Sequence, residues 1–268
     1  MLSSIVKTAF AVALLVGGAS GAQAKADKKD VEATRAAERT GAMLFAYDQA
    51  AWHGTDKFMT DVASSVPASV RGYIVLPESG GRLRVVFYAD KDGLLVAFRS
   101  YRVAGGRSVR ALPAESGVPL DATGVRMVAA REAALAYVKD NALPLCATAA
   151  PNMVVFPPNQ NDQVVVYVMT PQIENGRIPM GGHYRFEFDS ENRLLSHRKF
   201  SEGCRVMKTS MEGLGLAILS HPLDGHPTEI HGFLSRMTPF PITVGLANRD
   251  VWIASKGKFE YAGRLKPE

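Results

Sequence analysis

Apolar positions along this chain change period several times, and each change marks an element. The first is a continuous run, Thr8 to Val16, behind Lys7 and ahead of small residues ending in Ala22-Gln23-Ala24. That order predicts a secretory signal peptide over residues 1–24, cleaved after Ala24, because the run is short of the roughly 20 residues a bilayer span needs. From Asp30 to about Val62, Val31, Met43, Leu44, Tyr47 and Ala51 recur at helical spacing, with Glu32, Arg35, Glu38 and Arg39 on the outer face. Gly41 and His53-Gly54-Thr55-Asp56 interrupt the pattern. A break is therefore expected near Gly54, with Thr55 or Asp56 capping a second short helix that ends before Pro67.

The period then shortens. Tyr73 to Leu76, Leu83 to Tyr88 and Leu94 to Val103 read as three antiparallel strands, the last two joined by an Asp92-Gly93 hairpin turn. A Gly- and Pro-containing connection runs from Gly105 to Pro119. Helical spacing returns from Thr123 to Asn141, where Val125, Val128, Ala129, Leu135 and Val138 make an apolar stripe that Pro144 ends. Met153 to Phe156, Val164 to Met169, His183 to Asp189 and Arg193 to Phe200 follow as strands. Alternation in the third of these places Tyr184, Phe186 and Phe188 on one face and His183, Arg185, Glu187 and Asp189 on the other. Met211 to Leu219 fits either a helix or a buried strand. Glu229 to Met237, Ile242 to Leu246, Val251 to Ser255 and Lys258 to Ala262 read as a third run of short strands.

The fold class implied is α+β, with antiparallel β-meanders packed against helices. One helix-plus-meander unit falls in residues 25–120 and a second, with the C-terminal strands, in residues 121–268; the two form either separate units or one continuous domain. The repeated helix-plus-three-strand order resembles the small exported PepSY-type modules. That resemblance lies in element order and carries over no motif residue.

Composition narrows the functional classes. Lys and Arg number 31 against 26 Asp and Glu, a formal charge of +5. The excess is small and spread along the chain, unlike the clustered basic face of a nucleic-acid binder. No second long apolar segment follows Ala24, so no transmembrane anchor is expected after cleavage. The two cysteines, Cys146 and Cys204, are expected to pair in an oxidising compartment, closing a loop of roughly 60 residues and contributing about 4 kcal/mol. The predicted location is periplasmic or secreted.

Catalytic signatures are sparse. No G-x-S-x-G elbow is present, and Ser116-Gly117 and Ser235 read as ordinary loop and strand serines. Gly80-Gly81, Gly105-Gly106 and Gly181-Gly182 lack the following helix start that phosphate binding uses. Histidines supply the one cluster with chemical content. His183, His226, Glu229 and His231 make a candidate site for zinc or another divalent transition metal, with Glu229 and His231 sharing a face if their segment is extended. Their spacing matches no established zinc signature, and the leading expectation is a non-enzymatic envelope module without cofactor. It would bind a protein or peptide partner through an exposed strand edge.

Overall fold

The computed structural model describes residues 26–63, 65–209 and 217–266. The expected signal peptide lies outside the described residues, as do residues 211–216 of the ambiguous apolar run. The architecture is α+β, as the pattern predicted.

Helix α1 (Lys28–Asp61) is followed by β1 (Val70–Glu78), β2 (Arg82–Lys91), β3 (Leu94–Ala104) and β4 (Ser108–Ala111), an antiparallel sheet in chain order. Asp92 and Gly93 turn the β2–β3 hairpin with φ of 55° and 82°, and Asp90 Oδ1 accepts from the Gly93 N–H at 2.9 Å. Strand β4 lies inside the stretch expected to be a connection. Helix α2 (Ala122–Asp140) starts at Asp121, whose Oδ1 accepts from the Gly124 N–H at 2.7 Å. A second antiparallel sheet has the order β5 (Asn152–Phe156), β6 (Val164–Met169), β8 (Tyr184–Phe188), β9 (Leu194–Lys199). Between these, β7 (Arg177–Pro179) pairs with β10 (Val206–Lys208).

The C-terminal stretch is built differently from the expected strand run. Strand β11 (Ala217–His221) pairs in parallel with β12 (Ile242–Leu246), and α3 (Glu229–Met237) crosses between them. Strands β13 (Asp250–Ser255) and β14 (Lys258–Arg264) extend the sheet antiparallel. Residues 229–237 are helical because Ile230, Phe233, Leu234 and Met237 fall at i, i+3, i+4 and i+7, a stripe packed into the core. Thr228 and His231 close a capping box at its start.

Strand alternation gives the β1–β4 sheet and the β5-β6-β8-β9 sheet two buried faces each. On one, Ile74, Val86, Tyr88, Val155, Val166 and Phe186 pack against Met127, Val128, Ala130 and Ala134 of α2. On the other, Val75, Phe87, Tyr101, Phe156 and Tyr167 share a core with α1, α3 and the C-terminal sheet. Both cores therefore draw on strands from both helix-plus-meander stretches. Edge strands β1 and β5 lie side by side, where the Tyr73 hydroxyl donates to the Met153 carbonyl at 3.4 Å.

Helix α1 has no break at Gly54. Its glycines mark close approach instead. A Cβ on Gly54 would stand 2.9 Å from a methyl of Val85, and one on Gly41 would stand 2.6 Å from the Glu229 carbonyl oxygen. The cysteines are joined, Cys146 to Cys204 across a separation of 58 residues. Among the described residues, no helix is long and apolar enough to cross a membrane.

Candidate functional site

The four residues of the metal expectation fall into separate environments. His183 is buried ahead of β8, where its Nδ1 accepts from the Thr170 N–H at 3.3 Å and its Nε2 donates to the Pro179 carbonyl at 3.2 Å. Burial holds its pKa down to about 4. Half-buried His226 turns its Nδ1 to the Pro227 carbonyl at 3.1 Å. Glu229 opens α3, and its carboxylate accepts from the Tyr167 hydroxyl at 3.0 Å. His231 is buried two positions on, its Nδ1 accepting from the N–H and the hydroxyl of Thr228, both at 3.0 Å. Because this segment is helical, Glu229 and His231 project about 200° apart and do not share a face. Among the described residues, no group of three His, Cys, Asp or Glu side chains has an arrangement that could hold a metal ion.

What the structure does bring together is a polar cluster between β9 and the turn that joins β11 to α3. Asp224 sits in that turn, and one of its carboxylate oxygens accepts from Arg198 of β9 at 2.6 Å and from His221 Nε2 at 2.7 Å. His221, the last residue of β11, is buried and lies edge-to-face against His231, with ring centroids 4.6 Å apart. Arg198 also lies over the Phe200 ring at 4.5 Å. Burial pushes the Asp224 carboxyl upward, but the His221 bond and the Arg198 guanidinium outweigh it and bring it to about 2. Burial, with His221 beside it, drives His231 down to about 3, so its imidazole is neutral at physiological pH.

The arrangement suits holding better than proton transfer. The Nε2 of His221 is committed to Asp224 and the Nδ1 of His231 to Thr228, so both imidazoles brace the 221–231 segment, which the Arg198–Asp224 bond ties to β9. A Ser-x-x-Lys pattern, Ser196 to Lys199, lies on β9 but makes no nucleophile–base pair. Three residues apart on a strand, its members point to opposite faces; Ser196 donates to Glu187 at 3.0 Å and Lys199 pairs with Glu202 at 2.6 Å.

Beside β9 runs an open groove of about 520 Å³. Leu143, Tyr184 and Leu223 supply its apolar surface; His197, Arg198 and Lys199 line it from the strand, and Asp224 reaches it from the turn. The Leu143 wall is fixed twice, by the Tyr184 hydroxyl donating to the Pro144 carbonyl at 2.8 Å and by the Cys146–Cys204 bridge. β9 is the outer strand of its sheet, and its side chains are exposed along nearly its whole length. The Phe200 N–H donates to the His183 carbonyl, so the alternation of antiparallel bonds turns the main-chain groups of His197 and Lys199 away from β8. The sequence pattern marked Arg193 to Phe200 as a strand and singled out none of Arg198, Lys199 or Asp224 as a site residue. The spacing of His221 and Asp224 was the available signal, but nothing local joins them to Arg198.

One further polar group is notable. Asp48 of α1 is buried, hydrogen-bonded to Gln49 at 3.3 Å and Asn152 at 3.4 Å, and has no cationic partner among the described residues. Burial raises its pKa to about 6.

No family model matches the chain, and no curated protein matches it. Among solved structures it is similar to a triple arginine-to-alanine mutant of AofleA from Arthrobotrys oligospora, at 12% identity and a TM-score of 0.15. The alignment covers 74% of this chain and 58% of that one, and a likeness at this score carries no argument.

Proposed function

We propose that this is an exported envelope protein that acts by binding, taking up an extended segment of a partner protein or peptide along the outer edge of β9. The observation that carries the reading is the edge itself: an exposed outer strand whose outward main-chain groups border a groove with a fixed apolar wall. Adding a strand to such an edge satisfies its main-chain groups while the groove receives alternate side chains. The disulfide and the signal-peptide pattern support an oxidising location outside the cytoplasm. The ion-paired turn supports binding rather than catalysis, because its titratable groups are engaged with one another.

A photo-crosslinking residue placed at exposed Leu195 of β9, with exposed Val125 of α2 as control, tests this in the native envelope. The expected result is one reproducible partner segment joined to position 195 and not to position 125, with slowed amide exchange at His197 and Lys199 when that segment is added. Equal capture at both positions, or no protection of those amides, overturns the reading.

A further inference from the structure

We propose that the segment accepted by β9 alternates acidic and apolar residues, with the acidic ones on the Lys199 side. This rests on the edge-binding reading and adds the chemistry of the partner.

A strand paired to the outer edge of β9 presents successive side chains to opposite faces of the sheet. On the face that carries His197 and Lys199, the incoming side chains stand beside an imidazole and an ammonium at their tips, while their stems meet the apolar surface of Tyr184, the cross-strand partner of Lys199, and of Leu143. His197 is held upright there, stacked on Phe186 with ring planes 17° apart and within 4.8 Å of the Tyr137 ring. Among the described residues the ammonium of Lys199 is paired with Glu202 alone, and both side chains are about half exposed, 50% and 55%. Such a pair exchanges readily, so an incoming carboxylate can replace Glu202 as the ionic partner of Lys199.

On the opposite face the cation is already paired. Arg198 is cationic, but Asp224 already neutralises it, and Leu223 beside it offers apolar surface. A charged side chain arriving there finds no free counter-ion, whereas an apolar one covers Leu223. The groove as a whole is lined by two permanent cations, Arg198 and Lys199, against the single carboxylate of Asp224. A second copy of this chain fits less well, because its own β9 brings His197, Arg198 and Lys199 towards the same three residues.

Three capped hexapeptides decide the matter by calorimetry on the full mature protein: alternating Glu-Val, Gln-Val and Lys-Val. The expected order of affinity is Glu-Val, then Gln-Val, then Lys-Val, with the first step roughly two- to five-fold, as one cross-strand ion pair at Lys199 would give. Raising salt from about 0.05 M to about 0.5 M narrows that step. Lys199→Glu, on an exposed side chain, reverses the order in favour of Lys-Val, while circular dichroism reports an unchanged fold. Equal binding of Glu-Val and Gln-Val by the wild-type protein overturns the acidic preference and leaves edge binding standing. If N-methylation of alternate Glu-Val amides changes nothing, or if no peptide binds, edge binding itself falls.

Discussion

The two buried faces of the central sheets are built from the same strands and differ in kind. Against α2 the packing is dry: Met127, Val128, Ala130, Ala134 and Val138 meet Ile74, Val86, Val155, Val166 and Phe186. Against α1, α3 and the C-terminal sheet, a larger aromatic core is interleaved with buried His183, His221, His231 and Asp48, and bordered by the Arg198–Asp224 and Tyr167–Glu229 contacts. Apolar contact is non-directional and indifferent to protons. Buried polar groups hold one geometry, because each lost partner leaves a group desolvated and unsatisfied. The dry face therefore supplies stability, and the polar face positions the C-terminal unit, its turn and one end of the β9 groove.

Phe186→Ala breaks the dry face at its centre. Emptying that site should cost about 4 kcal/mol in urea unfolding, with the same loss at pH 5 and pH 7.5. A pH-dependent loss would show that the two faces are not separable in this way.

Acid probes the polar face. His183 and His231 have folded pKa values of about 4 and about 3, below the ordinary 6.5, so the unfolded chain takes up protons that the folded one refuses. Stability is complete above pH 6.5 and falls as pH drops towards 4. Asp48 opposes part of this: its folded value of about 6 lies above 3.8, so its contribution is full below 3.8 and is lost as pH rises through 6. The net loss between pH 6.5 and 5 should be about 2–3 kcal/mol, read from unfolding midpoints. His183→Gln with His231→Gln should flatten that slope, and a slope unchanged in the double variant would place the sensitivity elsewhere.

Smaller effects sharpen the contrast. Gly54→Ala should destabilise by about 2 kcal/mol despite the better helix propensity of alanine, because the new methyl meets Val85. Asp48→Asn should stabilise by about 1 kcal/mol at pH 8, since it removes a buried charge without a counter-ion and retains an amide in its place. Increased melting temperature at pH 8 and little change at pH 5 is the expected result for that variant.

Where local signals were decisive, the sequence was legible. The Asp92-Gly93 hairpin, the helix read over Thr123 to Asn141 and ended by Pro144, the inward alternation of Tyr184, Phe186 and Phe188, and the Cys146–Cys204 pair all follow from neighbours a few residues apart or from simple pairing of two thiols. The helical identity of 229–237 was also written in its i, i+3, i+4, i+7 spacing, but flanking strand-like runs drew the reading towards an extended segment. With that error went the shared face of Glu229 and His231. Gly54 looked like a helix breaker because a sequence does not show what lies across from it. The bond from Arg198 to Asp224 joins residues 26 positions apart in different elements, and no periodicity records such a meeting.

Gly41 and Gly54 fix more than the closeness of two contacts. They are thirteen positions apart on α1, which sets their notches about 20 Å apart along the helix and about 220° apart around it. One receives the start of α3 and the other receives β2. Helix α1 thus works as a ruler with two marks, and its length in residues is part of the design. Deleting a single residue between the marks would turn one of them about 100° away from its seat, so even where exposed positions of this stretch accept substitution, its length should not change.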